Sequence, residues 1–213
     1  LGSNSWKNRR DKISKKISDI SKKLIETAAL RELSSPFQVE LTDEYTKFCN
    51  QFPFVETDDQ NAAIKDIEKD LTSSKIMDRL ICGDVGFGKT EVAIRAAFLT
   101  AKAKKQVVIL APTTILAKQH YESFTKRFDG TGIKICQLSR FSKSSQLKKD
   151  IEFGSFDIII GTKSVLYQEF KNLGMLIVDE EQHFGVKDKE HIKNLKKSIH
   201  VLTLSATPIP RTL

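Results

Sequence analysis

The stretch Gly83-Asp84-Val85-Gly86-Phe87-Gly88-Lys89-Thr90 carries the densest chemical signal in the chain. It satisfies G-x-x-x-x-G-K-[ST] at every defined position, between an apolar run at 78–82 and a stretch that reads as a helix from 89. Glycines in these places let backbone N–H groups curl inward into a nest for anions. The start of the helix adds partial positive charge. The chemistry this calls for is polyphosphate binding, with Lys89 reaching the outer phosphates and the Thr90 hydroxyl coordinating magnesium. A glycine-rich turn without a ligand is the alternative; the strand before it and the helix after it weigh against that.

A phosphate loop needs an acidic partner on another strand. In Met175-Leu176-Ile177-Val178-Asp179-Glu180, four apolar residues run into two carboxylates. Ligands of open parallel sheets gather at the carboxyl ends of the strands. Asp179 is therefore expected beside the loop, holding magnesium through water, and Glu180 is expected to orient or deprotonate an attacking water. Glu181 reads by default as part of a solvated acidic turn.

The elements that must position these groups follow from periodicity. Strand candidates are 78–82, 106–111, 133–138, 156–160, 174–178 and 199–204, nearly all apolar, as expected of strands covered on both faces. Helical stretches fall near 58–71, 89–102, 114–128, 143–152 and 188–197, within a helical and polar 37–74 and the alternating region that follows. Such alternation predicts an α/β fold with a mostly parallel sheet, right-handed crossovers and helices on both faces. Residues 1–35 differ: Ile13, Ile17, Ile20, Leu24 and Ala28 form one stripe at helical spacing among many lysines and arginines. They predict a long basic amphipathic helix, either packed on its own domain or connecting it to another module, followed by one ATP-binding domain at 36–213.

Composition bounds the rest. The 213 residues are 39% hydrophobic and 29% charged, which suits a globular protein with a proper core. No apolar run is long enough to cross a membrane. Cys49, Cys82 and Cys136 form no Cys-x-x-Cys pair, which argues against a disulfide framework or a zinc site and for a reducing, cytoplasmic setting. His120, His183, His191 and His200 have no metal-ligand spacing. The net charge of +8 favours polyanions, chiefly nucleic acid, although a lysine-rich solvated surface explains it equally well.

Taken together, these pieces resemble the first RecA-like lobe of superfamily 2 helicases and translocases over about residues 52–213. Asp179-Glu180-Glu181-Gln182 resembles their DExx box, and Ser205-Ala206-Thr207 the motif that links hydrolysis to movement. Phe54-x-x-Thr57-x-x-Gln60 resembles their adenine-recognition element. Ala111-Pro112-Thr113-Thr114 and Ile160-Gly161-Thr162 resemble the two motifs that grip the nucleic-acid backbone. The resemblance implies ATP and Mg2+ as cofactors. Phe54, Thr57 and Gln60 would serve the base, and Gly83, Asp84, Val85, Gly86, Phe87, Gly88, Lys89, Thr90 and Glu91 the phosphates. Thr113, Thr114, Gly161 and Thr162 would meet nucleic acid, and Ser205 and Thr207 would couple the two.

The stretch from Asp78 to Ala93, with Leu138-Ser139-Arg140-Phe141, Phe184-Gly185-Val186 and Thr207-Pro208-Ile209-Pro210-Arg211, is similar to the transcription-repair coupling factors. In them, Leu1-Gly2-Ser3-x-x-Trp6 would open the connecting helix between the polymerase-binding module and the motor. That family often has Arg where His183 stands and His where Lys163 stands. Its likeness implies a translocase on double-stranded DNA that displaces stalled RNA polymerase. RNA polymerase and nucleotide-excision-repair proteins would bind through parts of a parent chain not present here. A second RecA-like lobe of that parent would supply an arginine, so this lobe alone should bind ATP and hydrolyse it poorly. Arg140 and Phe141 could add a charge-and-stacking contact to nucleic acid. A RecG-like fork-reversal lobe and a non-catalytic interaction module are the competing expectations.

Overall fold

A computed structural model describes residues 36–84, 86–138 and 145–206, together with the helical positions Arg9, Arg10 and Ala29. The helix expected over 1–35, Val85, Arg140, Phe141 and Thr207 otherwise lie outside the described residues.

Six strands form one sheet: β1 (Asp78–Cys82), β2 (Gln106–Leu110), β3 (Ile135–Leu138), β4 (Ile158–Gly161), β5 (Leu173–Asp179) and β6 (His200–Ser205). Their order is β1-β6-β5-β2-β4-β3, and every pairing is parallel. Among the described residues from 36 on, six helices accompany them: α1 (Asp43–Asn50), α2 (Asp58–Thr72), α3 (Lys89–Lys102), α4 (Thr114–Arg127), α5 (Ser145–Glu152) and α6 (Val186–Leu195). Short 3-10 turns at Lys163–Tyr167 and Glu181–His183 follow β4 and β5.

The apolar runs of the central strands split by the two-residue period of a pleated chain. Val107, Ile109, Ile158, Ile160, Met175 and Ile177 face a core built with α1, α2, α3 and α4. Their neighbours Val108, Leu110, Ile159, Leu176 and Val178 face a second core with α5, α6 and the 3-10 turn after β4. Burial on both faces is why these strands read as unbroken hydrophobic sequence. β1 departs from that expectation. It is an edge strand paired with β6, and Asp78, Leu80 and Cys82 are exposed, Leu80 by 54%.

α1 is a separate helix inside the region that read as broadly helical. Thr42 caps it by accepting from the Tyr45 N–H at 3.3 Å, with Asp43 and Glu44 in the first turn. Pro53 follows just beyond its end, where a helix cannot easily continue. Phe48 of α1 stacks on Phe98 of α3 at 4.1 Å, and Phe128, beyond α4, packs on both. This aromatic column joins the three helices in front of the sheet.

Candidate functional site

Because all six strands run the same way, their C-terminal ends share one edge of the sheet, and the candidate residues stand there. In register, Cys82 of β1 lies opposite Ser205 of β6, and Leu204 of β6 lies opposite Asp179 of β5. β6 is thus a spacer between the strand that enters the glycine loop and the strand that ends in carboxylates. Hydrogen bonds close the row. The Gly83 N–H donates to the Ser205 carbonyl at 3.2 Å, and the Glu180 N–H donates to the Leu204 carbonyl at 2.9 Å. The Ala206 N–H donates to Glu180 Oε1 at 3.0 Å.

Within the loop, Gly86 (φ 88°) and Gly88 (φ 71°) take left-handed conformations, and the Phe87 N–H bonds the Asp84 carbonyl at 3.3 Å. Side chains strongly disfavour this backbone, so the glycines are structural requirements. Gly88 caps α3, and Lys89 and Thr90 open it. The Lys89 ammonium folds back over the loop, donating to the Gly83 carbonyl and, at 2.9 Å, to the Asp84 carbonyl.

The Thr57–Gln60 pair does two jobs. Thr57 Oγ1 accepts from the Gln60 N–H at 3.2 Å while Gln60 Oε1 accepts from the Thr57 N–H at 2.9 Å, a reciprocal cap on α2. The other end of the same amide, Nε2, donates to the Phe87 carbonyl at 2.8 Å and so fastens the cap to the glycine loop. Phe87, whose carbonyl holds this amide, is 64% exposed, and Phe54 is 72% exposed, so both leave apolar faces open to a flat ring.

Glu91 sits differently from its expected role among the phosphate contacts. Its carboxylate is buried, accepting from Arg95 Nε at 3.0 Å and from both Nε and a terminal nitrogen of Arg127 at 3.2 and 3.0 Å. Arg95 also pairs with Glu56, and its guanidinium holds the Glu56 carboxyl below the usual range. The Arg127 guanidinium lies 4.0 Å from the Phe48 ring centroid and bonds the Phe48 carbonyl at 2.6 Å. Glu91 therefore belongs to the scaffold that carries the 52–56 segment. Its spacing of four from Arg95 was the one sequence signal for this network.

At the acidic tip, Glu180 takes a left-handed conformation (φ 52°), which is rare for a side-chain-bearing residue and concentrated at functional sites. Gln182 donates to its second carboxylate oxygen. Asp179 is met by His120, whose Nε2 lies 2.8 Å from Asp179 Oδ2. Nothing in the spacing of the histidines pointed to this contact.

The expected nucleic-acid residues divide. Thr113 and Thr114 are exposed at the start of α4, with Thr113 capping it by accepting from the Leu116 N–H at 3.2 Å. Gly161 and Thr162 are buried. A Cβ at Gly161 would stand 2.6 Å from the Leu138 carbonyl, so close packing of β3 on β4 already demands glycine there. The two segments are neighbours even so: Leu110 pairs with Gly161, and the Ala111 N–H donates to the Gly161 carbonyl at 2.9 Å. Ser205 is buried between the loop and the acidic tip.

The donor types fit a magnesium-bound triphosphate. A hydroxyl at Thr90 and a carboxylate at Asp179 are hard oxygen ligands, and left-handed glycines before a helix start are the backbone type that can cradle an anion.

Comparison with known proteins gives the same outline. Residues 57–213 match the DEAD/DEAH box helicase family. Over its whole length the chain is 53% identical to the transcription-repair-coupling factor of Rickettsia conorii and 45% identical to that of Escherichia coli, covering 20% and 19% of those proteins. The chain thus spans about a fifth of the length of the curated relatives it matches. It is also similar to the solved structure of RecG bound to a three-way DNA junction, with a TM-score of 0.72 and 34% identity. That match covers 85% of this chain and 25% of that one.

Proposed function

The chain belongs to the DEAD/DEAH box helicase family, and on that premise we propose that it is the first RecA-like, ATP-binding lobe of a double-stranded-DNA translocase that couples transcription to repair. The observation that carries this is the row of bonds from Gly83 to Ser205 and from Ala206 to Glu180. It ties a phosphate-type loop and a carboxylate pair to the two sides of one strand end.

Bound magnesium-ATP would supply the reactive phosphoanhydride and a cation that neutralises its phosphates. The chain's own residues do the rest. Inward N–H groups of the loop and the Lys89 ammonium bind phosphate oxygens, exchanging the carbonyls that now hold Lys89. Thr90 and Asp179 orient the hydrated cation. Glu180 accepts a proton from the attacking water, with its carboxylate aimed by the Ala206 N–H and Gln182. Gln60 and Phe54 bind the base. Thr113 and Thr114 contact the nucleic-acid backbone without reading sequence, as a motor that steps along any sequence requires. Ser205 and Thr207 relay changes at the phosphates. A second RecA-like lobe completes the site with an arginine, and RNA polymerase and excision-repair proteins engage other parts of the longer protein in its cytoplasmic setting.

The RecG neighbour supports a second reading, fork reversal, but the whole-chain identity of 45–53% to coupling factors favours the first. The test is ATP turnover by the two-lobed protein, with and without duplex DNA, beside its Glu180→Gln variant. Turnover stimulated by DNA, and lost in the variant while nucleotide still binds, is the expected result. Undiminished turnover in Glu180→Gln would remove the assignment of Glu180. The lobe alone should turn over slower by about 10³–10⁵, the usual contribution of a supplied arginine.

A further inference from the structure

His120 is 8% exposed and lies on α4, between the exposed Thr113–Thr114 end and Phe124, whose ring it meets edge-on at 6.5 Å. Its Nε2 is 2.8 Å from Asp179 Oδ2. A carboxylate can only accept, so Nε2 carries the hydrogen and donates. This is the arrangement in which a buried neighbour fixes the rotation of a ligating side chain.

We propose that His120 is the positioning residue for Asp179: by holding Oδ2 it sets the carboxylate plane so that Oδ1 addresses a magnesium-bound water. The inference rests on the nucleotide-binding reading of the site. It adds a member that the glycine loop and the acidic strand tip do not include. The geometry suits the task because α4 and β5 are separate elements, and the imidazole is the bridge between them at the strand end. Asp179 stands at the last position of β5, next to the left-handed Glu180. There, backbone alone constrains its side chain little, and a lateral bond is what can orient it.

The experiment titrates Mg2+ against binding of a fluorescent ATP analogue to the full chain, with folding checked by thermal unfolding. His120→Leu removes the donor, and its half-saturating Mg2+ should rise about 10- to 100-fold, the usual effect of deleting such a support. His120→Gln, whose amide nitrogen reaches the place of Nε2, should stay close to the starting protein. His120→Asn, whose amide falls short, should behave like His120→Leu; this pair serves if the leucine variant does not fold. In an Asp179→Asn background, His120→Leu should add nothing, whereas a merely structural role would still be felt. Equal Mg2+ requirements for the Asn and Gln variants, or an undiminished effect in the Asp179→Asn background, would overturn the proposal. Absence of Mg2+-dependent binding in the unaltered chain would instead overturn the nucleotide site itself.

Discussion

At Gly88 a single hydrogen atom in place of a side chain decides the geometry of the glycine loop. Its φ of 71° would cost an alanine about 1–2 kcal/mol. In addition, the new Cβ would lie 2.2 Å from Gln60 Nε2. The amide must then leave the Phe87 carbonyl, and the cap on α2 loosens with it. Gly88→Ala should therefore weaken both folding and nucleotide binding. Part of that penalty belongs to the pair rather than to the glycine, which makes it testable. In the double variant Gly88→Ala with Gln60→Ala the clash is gone, so the two losses of unfolding free energy should sum to more than the loss of the double variant. Denaturant unfolding of the four proteins measures this; additivity within about 0.5 kcal/mol would mean that the two residues do not touch.

Among the elements, Gln106 at the head of β2 links three backbone segments through its side chain alone. Its Nε2 donates to the Ile151 carbonyl of α5 at 3.0 Å and to the Phe156 carbonyl at 3.1 Å. Its Oε1 accepts from the Lys171 and Asn172 N–H groups at 2.9 and 3.3 Å. Gln106→Leu keeps the approximate volume and leaves these backbone groups to find other partners. Only the bond to the Ile151 carbonyl is fully buried, so at about 1–3 kcal/mol for a buried group left unpaired, a loss of at least about 1–3 kcal/mol is expected in urea unfolding. Nucleotide affinity should stay near its starting value, because β2 begins at the edge of the sheet opposite the site. The same scale explains what the sequence discloses. Strand and helix positions were legible because burial on both faces writes continuous apolar runs, and because the loop motif needs a strand before it and a helix after it. α1 was not resolved as a helix of its own: eight residues give too few turns for periodicity, although Thr42 with Asp43 and Glu44 was a readable start. The exposed edge of β1 and the strand order were illegible, since both depend on which strands become neighbours. In the candidate site, Lys89, Asp179 and Glu180 stand out by motif, whereas the contacts of His120 and Arg127 are made by side chains that meet only after folding.

Across the whole molecule, His200 joins the segment ahead of α1 and the residue before β1 to the strand between the glycine loop and the acidic tip. Its Nδ1 accepts from the Met77 N–H at 2.9 Å, just before β1, and its Nε2 lies 3.3 Å from the Phe37 carbonyl, with the Phe37 ring edge-on at 4.8 Å. The imidazole is fully buried, and burial pushes its pKa below the ordinary histidine value, against smaller upward pulls from the Phe37 carbonyl and Asp70. Charging the ring would also place a second N–H against the one from Met77. The sign follows from proton binding. Below a pH of about 6.5 the unfolded chain takes up a proton at this position that the folded chain resists. Its contribution to stability is therefore complete above that pH and falls as the pH drops, until the folded group titrates too. The slope is at most about 1.4 kcal/mol per pH unit. His200→Asn retains an acceptor near the place of Nδ1 but does not titrate. Urea unfolding at about pH 7.5, 6.5 and 5.5 should show the unaltered chain losing stability on acidification faster than the variant. Parallel losses in the two proteins would assign the acid sensitivity to other groups and leave His200 a pH-independent link between β1 and β6.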